Sequence, residues 1–324
     1  MMHDISRRAL IAGALTATLS PAAFAADAWP TRPVTIVVPY GPGASNDTFT
    51  RAIADSLSKR FGKPFVVDNR PGAGGFTGVN TVVHAEPDGY TLVEMPNSIA
   101  GFKPIMNVEV DPLKDLTPLA SIASSPTALV VPASLPVKSV DEFIAYAKAN
   151  PAKTFYGYAG IGTTQQQHME LFNNLTGLKV KGVNYKGSAE AQTDLLAGRL
   201  QAMIVTVAST LGQIQGNELR LLAYTDKNYP PGAPAAPTMA EIGVKGMEKA
   251  QIWWGIFGPP RMAPELVATI NKAINDSLAD PAVIALLAKS GATPLVGSAE
   301  AFATLNRGEA ALVDEFIKTI GIKK

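Results

Sequence analysis

Residues 34–60 have the sequence VTIVVPYGPGASNDTFTRAIADSLSKR, which contains the clearest local indication of the fold. It opens with an apolar run at 34–38 that is rich in β-branched residues and short enough for a strand buried on both faces. A segment rich in proline and glycine ends the strand, and Ser45, Asn46 and Asp47 are residue types that commonly cap a helix. Apolar residues then recur at helical spacing. The stretch therefore predicts a strand, a glycine-rich loop, and a helix whose N-terminus can hold a small anion.

A second copy of this pattern lies in the middle of the chain. FYGYAGIGTTQQQHMELF, at 155–172, again runs from a short apolar strand through glycines into a helix. A single anion-binding loop is common in α/β folds. Two such loops, in what the order of elements predicts to be separate domains, indicate one ligand held between the domains.

The order of predicted elements indicates two α/β domains. Strand and helix patterns alternate from 34 to 95, which predicts a parallel sheet with helices on both faces. A buried strand at 128–131 is expected to cross into a second domain, and the C-terminal part of the chain is mostly helical. We therefore expect a discontinuous first domain at 26–124 plus 227–324, and a second domain at 125–226.

The first 25 residues are typical of an export signal. Arg7 and Arg8 precede an apolar run at 9–19, and Ala-Phe-Ala at 23–25 matches a cleavage site with small residues. The paired arginines also fit a twin-arginine signal. A transmembrane anchor is the alternative interpretation, but the run is shorter than the ~20 residues that a span needs. We predict that residues 1–25 are a signal peptide.

Composition narrows the class of protein further. Hydrophobic residues make up 47% and charged residues 17%, as expected for a globular chain with a large core. The full chain has 28 basic and 27 acidic residues, and the two are equal once Asp4, Arg7 and Arg8 are removed with the signal. Without a basic excess, nucleic acid is not an expected partner. An exported chain without cysteine fits the bacterial periplasm best.

Motifs for catalysis or cofactor binding are not found. The glycine pairs after the predicted strands lack the third glycine of a dinucleotide site, and there is no Walker A or G-x-S-x-G motif. His84 and His168 are not near a cysteine or in H-E-x-x-H, so neither a metal nor another cofactor is predicted. His168 could reach a ligand from the second helix, but a structural role is favoured. Asp47 needs the same caution, because a carboxylate at a helix start is first of all a cap.

Several longer motifs resemble one protein family. They are WPTRPVTIVVPYGPGASND at 29–47, VVDNRPGAGGFTG at 66–78, PDGYTL at 87–92 and YKGSAEAQTDLLAGRLQAM at 185–203. In this order they are similar to motifs of solute-binding proteins of the tripartite tricarboxylate transporter type, the Bug or TctC-type periplasmic receptors. The resemblance covers the whole chain after the export signal.

The resemblance implies an α/β fold with two-domain periplasmic-binding-protein type II architecture and a ligand cleft between the domains. It implies a small carboxylate ligand, no catalysis, and delivery of the ligand to the membrane components of such a transporter. We expect the mature protein to be a monomer. Two loops, the first loop at 40–47 and the second loop at 158–165, are expected to grip a carboxylate. Carried over by position, the ligand-binding residues are Tyr40, Gly43, Ala44, Ser45, Asn46 and Asp47 in the first loop, Tyr158, Ala159, Gly162, Thr163 and Thr164 in the second loop, and Asp194, Val205 and Thr206 beyond them.

Departures from the usual family pattern bear on the ligand. Tyr158 and Ala159 stand where relatives often have two serines, and Val205 stands where an aspartate is common. A buried ammonium group would then lack an acceptor, which costs on the order of a few kcal/mol. Asp194 remains a candidate acceptor. We therefore expect a dicarboxylate or an aromatic carboxylate to be favoured over an α-amino acid.

Two alternative functions stay open at this point. The first is a carboxylate-sensing receptor that serves a signalling partner, which the sequence does not separate from transport. The second is a periplasmic enzyme that acts on such acids. An enzyme would need a nucleophile with its base, or a set of metal ligands, and neither is visible in the motifs.

Overall fold

The computed structural model describes residues 29–106, 108–227, 229 and 234–320. The predicted signal peptide at 1–25 lies outside these residues. Within the described part of the chain, no helix combines the length and the apolar character needed to cross a membrane.

Strands and helices follow the predicted α/β order. The strands are β1 (Val34–Val38), β2 (Phe65–Asn69), β3 (Thr91–Pro96), β4 (Thr117–Pro132), β5 (Phe155–Tyr158), β6 (Lys181–Asn184), β7 (Met203–Thr206), β8 (Leu219–Tyr224), β9 (Gln251–Gly258) and β10 (Thr293–Pro294). The α-helices are α1 (Ser45–Phe61), α2 (Phe76–Val83), α3 (Phe102–Met106), α4 (Pro112–Asp115), α5 (Val140–Ala149), α6 (Thr164–Thr176), α7 (Ser188–Leu196), α8 (Leu211–Gln215), α9 (Pro264–Leu278), α10 (Pro281–Lys289) and α11 (Ala299–Ile320). A 3-10 helix at Asn97–Gly101 follows β3 directly.

The first domain is built on a sheet with the strand order β10-β4-β9-β3-β1-β2. β1 lies parallel to β2 and β3, whereas β9 is antiparallel to both β3 and β4. α1 covers one face, where Phe49 and Ile53 pack with Ile36. α2 covers the other face, where Val79 packs with Val93. The apolar residues of the central strands thus face helices on both sides, as their continuous run predicted.

The second domain has its own sheet and core. The last six residues of β4, 127–132, pair with β7 and β8, and β5 pairs in parallel with β6. A single bridge between Tyr156 and Ala202 joins these two groups of strands. Phe143 of α5 and Phe172 of α6 pack in this core, with 6.4 Å between their ring centroids.

One continuous strand, β4, joins the two domains. The sequence predicted only its segment at 128–131, because Pro118 and the Ser-Ser-Pro-Thr run at 124–127 interrupt the apolar pattern before it. β4 pairs with β9 as far as Pro126 and with β7 from Thr127 onwards. Pro126 has no N–H to donate, and it lies where the strand changes from one sheet to the other. The hydroxyl of Ser125 donates to Gly291 O (2.7 Å), so this polar stretch is satisfied inside the protein.

The return from the second domain to the first lies just before β9. Met239, Met247 and Ala250 pack in the same core cluster as Phe143 and Phe172. This packing extends the second core beyond residue 226, where the sequence analysis placed its end. The limits of the two domains stay a prediction.

The packing of α11 on β9 generates a first prediction. A Cβ added at Gly255 would overlap the ring of Phe302, which also contacts Trp253 edge to face. Gly255→Ala should therefore lower the free energy of unfolding by about 1–3 kcal/mol through overpacking. Gly308→Ala is the matched control, because nothing lies within 4 Å of its Cβ and alanine favours a helix by up to about 1 kcal/mol. Urea unfolding measures both, and a Gly255→Ala variant as stable as wild type would contradict this packing.

Candidate functional site

The first loop leads into a helix whose first turn keeps its backbone N–H groups unpaired. α1 begins at Ser45 with Ala44 as the N-cap, so none of the three predicted caps takes that position. The N–H of Thr48 is the first to bond back, to Ala44 O at 2.9 Å. Among the described residues, no acceptor pairs with the backbone N–H of Ser45, Asn46 or Asp47. These groups lie at the positive end of the helix dipole, where an anion is stabilised.

The carboxylate of Asp47 holds the first loop in shape. It is almost fully buried and accepts hydrogen bonds from Gly43 N and Asn69 Nδ2, both at 2.9 Å. Arg51 forms an ion pair with it at 2.8 Å. Burial alone raises the pKa of Asp47, but the bonds from Arg51, Gly43 and Asn69 outweigh burial and hold the pKa below its ordinary value. Asp47 therefore organises the loop through protein donors, and contact with a ligand stays a prediction.

Glu94, which the sequence analysis did not single out, lies beneath the start of α1. It is fully buried on β3, and Asn46 Nδ2 contacts its two carboxyl oxygens at 3.1 and 3.0 Å. Burial raises the pKa of Glu94 to about 8, the bond from Asn46 opposes the rise, and the charge of Asp47 adds to it. The one signal in the sequence is an acidic residue inside the apolar strand Thr91–Pro96.

The side-chain amides of two glutamines and one asparagine accept hydrogen bonds from the backbone of the second loop. Three of its backbone N–H groups donate to side-chain oxygens, namely Ala159 N to Gln165 Oε1 (3.1 Å), Gly160 N to Asn184 Oδ1 (3.0 Å) and Gly162 N to Gln166 Oε1 (2.7 Å). These N–H groups are occupied by the protein itself. The loop therefore offers an anion the first turn of its helix rather than the glycine turn.

The start of α6 repeats the arrangement seen at the start of α1. Thr163 is the N-cap, and the N–H of Gln167 is the first to bond back, to Thr163 O at 3.0 Å. In the part of the chain that the structure describes, the backbone N–H groups of Thr164, Gln165 and Gln166 have no acceptor. Each domain thus contributes one helix start with free donors.

Both helix starts converge on the end of β3. Asn46 bonds to Glu94, and the hydroxyl of Thr164 donates to Asn97 Oδ1 at 3.3 Å across the domain boundary. Glu94 and Asn97 are three residues apart, and such a segment spans at most about 11 Å. The first turns of α1 and α6 are therefore both tied to one short segment, residues 94–97.

The walls of the cleft are mostly apolar and lie close together. They are formed by Gly74, Ser98, Gly101, Phe102 and Ile105 of the first domain and by Ile161, Gly162 and Thr163 of the second. The space between them is about 10 Å³, room for about one water molecule. A Cβ added at Gly162 would come within 3.0 Å of Ile105. Tyr40 reaches the same wall, since its hydroxyl donates to Gly74 O at 3.4 Å.

Four other predicted ligand-binding residues lie apart from these helix starts or inside the second core. Tyr158 is 9% exposed and packs against Tyr156, with ring centroids 5.7 Å apart. Val205 is fully buried among residues of α7, whereas Thr206 beside it is only half-buried. Asp194 accepts from the Tyr185 hydroxyl (2.7 Å) and pairs with Arg199 (2.6 Å). Contact of these residues with a ligand stays a prediction.

A buried hydrogen-bond network lies where the chain crosses between the domains. The hydroxyl of Thr127 lies 3.0 Å from His168 Nδ1, 3.1 Å from Thr225 Oγ1 and 3.1 Å from Ala250 O. Burial lowers the pKa of His168 to about 3, so the imidazole is neutral. His168 thus has the structural place that the sequence analysis favoured, and it ties α6 to the crossing strands. No group of three or more His, Cys, Asp or Glu in the described residues could hold a metal ion.

Comparison with known proteins gives one consistent family. The model of the tripartite tricarboxylate transporter family receptor matches residues 49–322. BugT of Bordetella pertussis is 32% identical over 323 residues, which cover 98% of this chain and 97% of BugT. A structure of an R. palustris protein with adipate is 34% identical, with a TM-score of 0.83 over 90% of this chain and 98% of that one. MatC from Rhodopseudomonas palustris with bound malate is 27% identical, with a TM-score of 0.79 over 89% and 99%.

The bonds of Asp47 generate a second prediction. Asp47→Ala leaves Gly43 N and Asn69 without their acceptor, and it should lower the free energy of unfolding by about 2–3 kcal/mol at pH 7. Asp55→Ala, an exposed position on the same helix, should stay within about 0.5 kcal/mol of wild type.

The effect of Asp47→Ala should depend on pH in a defined direction. Because the pKa of Asp47 is lowered in the folded state, its stabilisation is present above the unfolded-state pKa and is lost as the pH falls through the folded-state value. The difference between Asp47→Ala and wild type in urea unfolding should therefore shrink on acidification. A difference that stays constant down to pH 2 would contradict the assigned bonds.

Proposed function

The chain belongs to the tripartite tricarboxylate transporter receptor family, and from this premise we propose that it is a periplasmic solute-binding protein that captures a small organic carboxylate between its two domains. The observation that carries the proposal is the convergence of two helix starts, one from each domain, at the end of β3. Backbone donors at 45–47 and 164–166 have no acceptor among the described residues. An anion between them satisfies both sets at once.

Backbone groups, rather than basic side chains, hold the carboxylate in this proposal. Neither the first loop nor the second loop contains Lys or Arg. Binding then rests on short hydrogen bonds from N–H groups to an ionised oxygen, which are roughly twice as strong as bonds between neutral groups. The hydroxyl of Ser45 stands beside these groups and can add a further donor, whereas the hydroxyls of Thr163 and Thr164 already donate to Gly160 O and Asn97 Oδ1.

The remainder of the ligand faces an apolar wall. Phe102, Ile105 and Ile161 line the cleft, and relatives of this chain have been solved with adipate and with malate. Asp194, the candidate acceptor for an ammonium group, is already paired with Arg199. A dicarboxylate, or a carboxylate with an apolar body, therefore fits this site better than an α-amino acid.

Capture requires the domains to part and close again. The pocket between Phe102, Ile105 and Ile161 leaves room for about one water molecule, so the body of a ligand fits there only when these walls separate. β4, the Thr127 network and the return before β9 are the connections about which such a motion turns. No covalent step is involved, which agrees with a family of receptors. We propose that the closed, monomeric form delivers its ligand to the membrane components of a tripartite tricarboxylate transporter.

Ligand class is the third prediction. Adipate, or an aromatic acid such as benzoate, should bind at least tenfold more tightly than aspartate or glutamate, since an unpaired buried ammonium costs about 1–3 kcal/mol and 1.4 kcal/mol is tenfold in affinity. Isothermal calorimetry on the mature protein measures all four. Tighter binding of the amino acids would overturn the ligand class, and failure of every carboxylate to bind would overturn the function.

A further inference from the structure

Glu94 is the only buried carboxyl group described in contact with the first turn of α1 besides Asp47 of that helix. The side chain of Asn46 contacts both carboxyl oxygens of Glu94, and the backbone N–H of Asn46 is the middle one of the three free donors. An anion bound by these donors would be held by the backbone of the same residue, Asn46, whose side chain contacts Glu94. The two negative charges would then repel each other, because Glu94 is shielded from water.

The surroundings of Glu94 offer little positive charge to relieve that repulsion. The elements packed most closely against β3 are β1, β9, α1, α2 and the 3-10 helix at Asn97–Gly101. Of these, all but α1 lack Asp, Glu, Lys, Arg and His. On α1, Asp47 is negative, and the guanidinium of Arg51 is bonded to Asp47 and Asn69. Tyr40 of the first loop is neutral, because burial and, to a smaller extent, the charge of Glu94 raise the pKa of its phenol.

We propose that Glu94 takes up a proton from solvent when a carboxylate anion binds at the start of α1, so that anion binding and protonation of this residue are coupled. The inference rests on the proposed function and adds a property to the same site. Glu94 acts through Asn46 as a positioning residue. In its neutral form it still accepts from Asn46 and so keeps the donors of α1 in place without repelling the bound anion.

The coupling has a measurable range of pH. Burial already raises the pKa of Glu94 to about 8, so about half of the free protein carries the charge at pH 8 and little of it does at pH 6.5. A bound anion raises that pKa further. Affinity should therefore be constant from pH 6 to 7 and fall about tenfold for each pH unit above pH 8. Carboxylic acids titrate near pH 4, so the ligand itself does not change charge in this range.

Calorimetry in buffers with different ionisation enthalpies tests the proposal directly. Adipate and malate are titrated at pH 6.5, 8 and 9 into the wild-type mature protein and into Glu94→Gln, which keeps an acceptor for Asn46 but cannot ionise. Wild type should take up about half a proton per bound anion at pH 8, and almost none at pH 6.5. Glu94→Gln should show no uptake and a flat affinity from pH 6.5 to 9. Glu94→Leu cannot ionise either, so it should also show no proton uptake, but it cannot accept from Asn46 and should bind adipate more weakly than Glu94→Gln.

Glu309→Gln is the matched control, because Glu309 is also a buried glutamate and bonds to Asn97, which the Thr164 hydroxyl contacts. Its carboxylate accepts from Trp253 and Asn97, and burial raises its pKa to about 7. Proton uptake at pH 8 should persist in this variant. Uptake that disappears in Glu309→Gln but remains in Glu94→Gln would overturn the assignment. Binding without any proton uptake in wild type would overturn this inference alone, whereas no carboxylate binding at any pH would overturn the proposed function and this inference with it.

Discussion

The hydrogen bonds of the Thr127 hydroxyl fix the position of the second domain relative to the first. This hydroxyl lies where β4 leaves one sheet and enters the other, and it contacts Thr225 and Ala250 O, which belong to the other two stretches of chain near the crossing. His168, which lies on α6, contacts the same hydroxyl, so this contact also fixes the position of α6. Because burial keeps His168 neutral, this network does not change charge in the physiological range. The start of α6 is thereby held opposite the end of β3.

From this arrangement follows a site made of backbone rather than of charged side chains. Helix starts leave donors unpaired in any protein, and most are satisfied by caps or by water. Here Ala44 cannot cap α1 with its side chain, and the hydroxyl of Thr163 donates to Gly160 O instead of accepting from α6. The acidic and amide groups near both starts are engaged with the loops themselves. The backbone N–H groups at 45–47 and at 164–166 remain free, and together they suit a carboxylate.

Local patterns in the sequence were sufficient to predict the two helices that carry these donors. The apolar run at 34–38 and the glycine-rich segments before α1 and α6 predicted both strand–loop–helix units, and the family resemblance predicted the two-domain fold. The sequence could not show that Ala44, rather than a polar neighbour, is the N-cap, because the cap depends on where the chain turns. It also could not show that Glu94 is buried, since its partner Asn46 lies 48 residues earlier. β4 was mostly missed because several of its polar residues are satisfied by groups far away in the sequence, such as the carbonyl of Gly291.

Backbone N–H groups at the helix starts are expected to bind the carboxylate, and a pair of substitutions at Ser45 separates their contribution from that of a side chain. Ser45 is the first residue of α1, where proline is tolerated, and the backbone of Ala44 (φ −72°, ψ 165°) already suits a following proline. Ser45→Pro removes the N–H and the hydroxyl, whereas Ser45→Ala removes the hydroxyl alone. In calorimetric titrations with adipate, the account predicts that Ser45→Pro binds about tenfold more weakly than Ser45→Ala, the loss of one hydrogen bond to a charged group. Equal affinities of the two variants would contradict it.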